Sequence, residues 1–351
     1  MTTEERLVTR QRLAAFMHEA FVTAGLPDGD AHTVSDLMAE ADAIGSDGHG
    51  IFRLPNYIRR IRGGGINLHP NIRVERERAA MAVVNGDNGM GHIVVKEATR
   101  IAAEKAQSSG VAWVGINHSN HAGPAALYVR MLLEHDMIGL YAAVGNANHL
   151  PPWGGTEMLL STNPIAISIP SAKYPPIVLD MATTVAAYGK VKVKAQRGEP
   201  LPEGWMIDKD GKPLTDSSRA GEGFLLPIGG PKGYGLGLTF GILAGVLNGA
   251  AFGRDVIDFN ADASSVTNTG HFIAALDISA FMDLDQFKAE VDTVWETMKS
   301  SPTLPDVDEI RLPGERAAHV TDERRRNGVP IHPDLDKALA AVAADLGIDP
   351  L

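Results

Sequence analysis

Within nine positions the chain places an imidazole, a guanidinium and a phenol: His49, Arg53 and Tyr57, in the stretch that begins Asp47-Gly48-His49-Gly50. His49 and Arg53 are four residues apart and Tyr57 lies four further on, so a helical segment would project all three from one face. A histidine exchanges protons near neutral pH because its unperturbed pKa lies close by. An arginine holds a carboxylate through two parallel hydrogen bonds and fixes its orientation. Together they suit a small 2-oxo acid to be reduced, or a 2-hydroxy acid to be oxidised. A surface helix start with a stray His and Arg fits the same spacing.

Three other stretches carry chemistry-bearing side chains. Asn117-His118-Ser119-Asn120-His121-Ala122-Gly123 follows an apolar run, where ligands gather at strand ends. His118 and His121, with His149 in reserve, could bind a metal, but no acid lies close by; a polar strand-to-helix turn is the other reading. Asp180 ends the apolar run Ile177-Val178-Leu179. Near a His it would stabilise the imidazolium; equally, it would cap a helix starting at Met181-Ala182-Thr183-Thr184. Gly229-Gly230-Pro231-Lys232-Gly233 precedes a helical run and could cradle a phosphate, although its spacing is not that of a P-loop.

The elements that must position these groups are readable from periodicity. Helices are expected over residues 3–24, with Thr3 as N-cap, and over 30–44, 91–109, 284–299 and 334–344, with another after Gly123 to about Glu134. Gly63-Gly64-Gly65 breaks the helix carrying Arg53 and permits a mobile connection. Strands are expected over 74–85, 111–116, 138–144, 165–169, 177–180 and 273–276. The first two of these flank a helix as a βαβ-like unit, yet no dinucleotide fingerprint is present. The middle region reads as antiparallel, with a hairpin tip at 208–212. Residues 236–252 carry no charge and have glycine at every fourth position; the run is short for a bilayer and reads as a buried helix.

Composition narrows the classes. The chain has 351 residues, 44% of them hydrophobic, and a net charge of -11, which argues against nucleic acid and anionic membrane surfaces as partners. It has no cysteine, which removes thiolate chemistry and disulfides. Charged residues among the first twenty leave no signal-peptide core, so the cytoplasm is the default compartment.

Taken in order, DGHGIFRLPNYIRRIRGGGIN, NHSNHAG, PPWGG, STNPIAI, VLDMATT, GPKGYGLGL and LPGER resemble one family over nearly the whole chain. It is the malate/L-lactate/sulfolactate/ureidoglycolate dehydrogenase family, which includes diketogulonate and piperideine/pyrroline-carboxylate reductases. The resemblance implies an α/β, non-Rossmann fold. Its parts would be a helical region from both termini (1–70 with 285–351), a mixed α/β dimerisation and substrate domain (71–120 with 225–284) and a largely antiparallel NAD(P)-binding sheet domain (121–224). It implies hydride transfer between NAD(P)H, NADH slightly favoured, and a small 2-oxo or L-2-hydroxy acid, in a homodimer or higher oligomer. Cyclic imine reduction is the runner-up, and a His-metal lyase the reading from another class. By the resemblance, His49 is the proton donor and acceptor, Asp180 its acidic partner and Arg53 the carboxylate clamp. Tyr57, His121 and Gly48 line the substrate. His121, Thr162, Asp180, Met181, Ala182, Lys232, Gly314, Glu315 and Arg316 meet the cofactor. Gly48 stands where the family pattern has Ser, which leaves room for a larger or differently shaped substrate.

Overall fold

The computed structural model of the chain describes residues 5–196 and 198–351. The N-terminal half runs β1 (Arg6–Val8), α1 (Arg10–Thr23), α2 (Asp28–Ala43), a 3-10 turn (Ile51–Arg53) and α3 (Leu54–Arg62), then β2 (Arg73–Arg78), β3 (Met81–Asn85), α4 (Gly91–Ser109), β4 (Val111–Ser119) and α5 (Ala126–Leu133). It continues through β5 (Met137–Ala143), β6 (Ile165–Ile169), β7 (Ile177–Met181), α6 (Tyr188–Gln196), β8 (Met206–Ile207), β9 (Phe224–Leu225) and α7 (Pro231–Ala244). The chain closes with β10 (Thr269–Asp277), α8 (Leu284–Lys299), α9 (Glu315–Asn327), β11 (Val329–Ile331) and α10 (Pro333–Leu346).

One seven-stranded sheet, in the order β2-β3-β4-β10-β5-β6-β7, forms the centre. Only β3 and β4, joined through α4, pair in parallel; every other neighbour is antiparallel. The expected βαβ unit and the antiparallel middle region are both present, inside one sheet. The boundary expected between residues 120 and 121 therefore falls within that sheet, since β4 and β5 both pair with β10. Alternation along the strands sends Tyr141, Ile273 and Asp180 to the face covered by α4 and α5, and Ala142, Phe272 and Trp113 to the face covered by α7. Phe272 stacks on Trp113 at 4.0 Å there.

The two ends of the chain are tied together, because β1 pairs antiparallel with β11. That pairing displaces the expected first helix: α1 begins at Arg10, and Thr9 caps it by accepting the Arg12 N–H at 3.2 Å. Thr3, the expected cap, lies outside the described residues. Asp180 is followed by no helix, since residues 182–187 are bends and irregular backbone with an isolated bridge from Thr184 to Pro227, and α6 begins at Tyr188. The helix of the glycine-faced run starts earlier than expected, at Pro231, takes in Lys232 and stops at Ala244. Gly237 and Gly241 let it approach Thr183 and Asn163, but Leu236 and Ile242 are exposed, so only its glycine face is buried and it is not the buried helix expected. Among the described residues no helix is long and apolar enough to cross a membrane.

The His49 segment is not a helix. Residues 47–50 form a turn, and α3 starts only at Leu54. The turn sits on Asp42, whose buried carboxylate accepts the Ile51 N–H at 2.8 Å. Burial pushes the Asp42 carboxyl up to about 8, against the lowering effect of that hydrogen bond. Arg324 of α9 donates to the Asp42 carbonyl at 2.6 Å and pairs with Asp47. Gly63 and Gly65 are not a hinge either: a Cβ on either would meet the Ala263 carbonyl, at 2.6 and 2.4 Å, so the triple glycine is a packed junction.

Gly50 is the tightest point of this support. An added Cβ would lie 1.9 Å from Asp42 Oδ1, whereas one on Gly48 would meet nothing within 4 Å. Gly50→Ala should cost about 2–3 kcal/mol by expelling the Asp42 carboxylate. In thermal unfolding, Gly50→Ala should melt about 3–4 °C lower, and Gly48→Ala within about 1 °C of the parent chain.

Candidate active site

Two imidazoles stack at the centre of the site. His49, from the turn, and His121, from the segment between β4 and α5, lie 5.6 Å apart and 8° from parallel. Tyr57 of α3 is fully buried beneath them, and its hydroxyl meets His121 Nδ1 at 2.5 Å. That contact engages Nδ1 and leaves Nε2 as the nitrogen available to a ligand. Phe259 packs edge-on against Tyr57 at 5.6 Å and tilted against His121 at 5.4 Å, closing one side. Arg53 is half-buried beside them; its Nε donates to the Gly48 carbonyl at 2.8 Å and its Nη1 to Asn260 Oδ1 at 2.9 Å.

Asp180 joins this centre to the sheet edge. Its side chain is open to solvent but walled by protein, and Oδ2 accepts the Ala126 N–H of α5 at 2.8 Å. The carboxylate thus caps α5, five residues beyond His121, rather than bonding His49 directly. Burial raises its pKa to about 6, and the Ala126 N–H opposes this. Beyond Asp180, Thr162 accepts the Thr183 N–H at 2.9 Å, with half-buried Met181 and Ala182 alongside. Thr183 in turn accepts the Ile228 N–H at 3.0 Å, which brings the N-terminus of α7 up to this edge. That N-terminus carries left-handed Gly229 and Gly230 (φ 57° and 65°), no side-chain cap, and exposed Lys232. Free backbone N–H groups beside a lysine form a seat for a phosphate.

The LPGER loop lies along the same edge strand, with the Val178 N–H donating to Pro313 O at 3.0 Å. Within it Gly314 is left-handed (φ 89°) and Arg316 is exposed, but Glu315 is buried, accepting from Leu312 N at 3.0 Å and Lys299 Nζ at 2.5 Å. Its carboxylate is committed to holding the loop.

The other two histidines considered for a metal go elsewhere. His118 is exposed, bonded to Asn117 Oδ1 at 2.9 Å, and His149 stacks on Tyr188 at 4.2 Å. Among the described residues no group of three His, Asp or Glu is arranged to hold a metal ion. Asn117 and Asn120 are buried struts: Asn120 bonds Asn88 and Gly89, fixing the turn before α4. Only His121 of that stretch faces the site.

Sequence reasoning missed Asp42, His92, Phe259, Asn260 and His271. His92 is fully buried edge-on to Tyr57 at 5.6 Å, and neither nitrogen has a hydrogen-bond partner among the described residues. His271 bonds the Tyr141 hydroxyl at 2.7 Å. No local signal marks them: Asp42 matters through a turn whose shape spacing does not reveal, and the others through residues distant in sequence.

The chain's likeness to known proteins fits this geometry. The family profile described as malate/L-lactate dehydrogenase matches residues 8–340. The chain belongs to the malate/L-lactate dehydrogenase family. It is 36% identical to a malate dehydrogenase of Pyrococcus horikoshii, over 98% of this chain and 96% of that protein. The solved structure of a malate dehydrogenase from the same organism superposes with a TM-score of 0.91 at 34% identity, covering 99% of this chain and 97% of the other. An L-sulfolactate dehydrogenase of Methanothermobacter thermautotrophicus is 37% identical over 94% of each chain. A ureidoglycolate dehydrogenase (NAD(+)) of Escherichia coli K12 is 32% identical over 88% of this chain and 87% of its own. The chain is therefore a 2-hydroxy acid dehydrogenase of this family, on a mixed α/β fold with a mostly antiparallel central sheet.

Burial holds five imidazoles neutral, four of them at or around the site and His149 apart from it. It lowers His49 and His149 to about 4, His92 and His271 to about 3, and His121 well below its usual range; Arg53 adds to the lowering at His49 and His121. In the unfolded chain they titrate near 6.5, so below that pH unfolding takes up protons and acid destabilises the fold. Asp42 and Asp180 act oppositely, since their raised folded values bind protons more tightly than the unfolded 3.8. Five imidazoles outweigh two carboxyls. Calorimetry should give a lower Tm at pH 5 than at pH 6.5; a Tm equal or higher at pH 5 would mean these imidazoles are charged when folded.

Proposed function

We propose that the enzyme interconverts a small 2-hydroxy acid and its 2-oxo acid with NAD(P), NADH slightly favoured, His49 exchanging the proton and Arg53 clamping the carboxylate. The observation that carries this is the Arg53 guanidinium, held by Gly48 O and Asn260 beside the stacked pair His49 and His121. The bound nicotinamide supplies or removes the hydride. The uncapped N-terminus of α7 with Lys232, and the loop of Gly314 and Arg316, suit its phosphates; Thr162, Asp180, Met181 and Ala182 suit the nicotinamide half.

The charge balance around His49 explains how one residue serves both directions. His49, held neutral chiefly by burial and secondarily by the Arg53 charge, is able to accept the hydroxyl proton of a 2-hydroxy acid. A substrate carboxylate on Arg53 offsets the smaller, Coulombic part of that lowering and so moves His49 toward the imidazolium needed to protonate a carbonyl oxygen. Asp180, ionised above about pH 6, caps α5 through the Ala126 N–H and so positions the segment carrying His121. Tyr57 fixes the His121 ring against which His49 stacks. Gly48, with open space where a side chain would stand, leaves room for the substrate's variable group.

We further propose a cytoplasmic homodimer. The outer face of α7 and the turn after it expose Leu236, Ile242, Val246 and Leu247, an apolar stripe that a second copy would cover.

Mixing the protein with NADH or NADPH and a panel of 2-oxo acids and cyclic imines, and following absorbance loss, tests the reading. Turnover of 2-oxo acids is expected; silence with every acid, or turnover of imines alone, would sink it. His49→Ala should lower kcat by about 10²-fold or more, and near-parental turnover would exclude the proton role. Arg53→Lys loses the planar fork and should raise KM about tenfold while sparing cofactor affinity.

A further inference from the structure

The segment 258–262 packs against His121 and Tyr57 through Phe259 and is pinned from several sides. The Phe259 N–H donates to Asn146 O at 2.9 Å, and the Asn260 N–H to Asp258 Oδ1 at 2.8 Å. Two further arginines of α3 hold its backbone: Arg59 donates to the Asn260 carbonyl and Arg60 to the Asp262 carbonyl. Arg60 is fully buried, its guanidinium 4.9 Å from the Phe259 ring centre, and also reaches Ser265 O at 2.8 Å and Gly65 O at 2.9 Å. Asn260 therefore presents its side-chain oxygen to Arg53 from a fixed backbone.

A guanidinium has five N–H donors in one plane. Arg53 gives one to Gly48 O and one to Asn260 Oδ1, contacts on different nitrogens that fix the plane. The remaining donors, on Nη1 and Nη2, form the edge that accepts a carboxylate in two-point contact. An aspartate in place of Asn260 would orient the group equally well but cancel its charge. The neutral amide orients without neutralising.

We propose that Asn260 is a positioning residue for substrate: its amide oxygen sets the plane of the Arg53 guanidinium and leaves the positive charge for the substrate carboxylate. The inference rests on Arg53 being the carboxylate clamp. It makes loop 258–262, distant in sequence from every motif of the site, part of the substrate pocket.

Steady-state kinetics of the full chain with its reactive 2-oxo acid and nicotinamide, on Asn260→Ala, Asn260→Asp and Arg53→Lys side by side, test it. Asn260→Ala should raise KM about three- to tenfold with a smaller change in kcat, from loss of one hydrogen bond to a charged group. Asn260→Asp retains the acceptor and so the fold, but its charge competes with substrate, and its KM should exceed that of the Ala variant. A merely structural role predicts the reverse order, with Asp near the parent. An Asp variant with KM at or below that of Ala overturns the inference, while a raised KM in Arg53→Lys shows that the clamp itself stands. An unchanged KM in Arg53→Lys overturns the clamp, and the inference with it. Cofactor affinity, read by NADH fluorescence, should be the same in all three.

Discussion

The site depends on one buried hydrogen bond, from the Ile51 N–H to the Asp42 carboxylate. A turn that carries a histidine and an arginine has no regular partner for its backbone, and an N–H left unpaired in the interior is costly. Asp42 meets that need from the last turn of α2, and Gly50 lets the carboxylate come within the space a side chain would fill. Burying an acid also costs energy. The raised pKa lessens this, because a carboxyl that titrates near 8 is mostly neutral at pH 7 and still accepts the N–H. Everything that follows in the chain, from the Arg53 fork to the ring of Tyr57, takes its place from that turn.

The sheet supplies the second anchor. Tyr141 of β5, Ala166 of β6 and Asp180 of β7 lie in one row across it, on the face under α5. Strand register therefore sets where α5 begins, through the bond from Ala126 to Asp180, and with it the position of the segment carrying His121. The segment carrying His121 and the start of α7 are thus linked by a short series of hydrogen bonds, from Ala126 through the Asp180 carboxylate and along the chain to Thr183 and Ile228. A displacement of β7 would be felt at both ends.

Much of this was legible where the information is local. The limits of α4, α8 and β6 follow from periodicity and, for β6, from the turn that ends at Pro164, and they agree with the structure residue for residue. His49, Arg53, Tyr57 and His121 do meet, as the motifs implied, but not on one helix face: the support from Asp42 and Arg324 replaces helix with turn, and spacing alone cannot reveal that. The first helix was misplaced for the same reason, since β1 exists only because Val329–Ile331 lies beside it. The glycine triplet looked mobile because its partner, Ala263, is distant in sequence. Asn260 was invisible, standing 207 positions from Arg53.

The link from Arg324 to Asp47 spans 277 residues. At typical synthesis rates of 5–20 residues per second, roughly 15–55 s separate the making of the turn from the making of the guanidinium that ties it to α9. Through that interval the nascent chain holds the site's first histidine and arginine without their outer brace. The stretch between α2 and α3 must wait, exposed, for a helix near the other end of the chain, which makes it a natural place for a chaperone or a protease to act before the enzyme is complete.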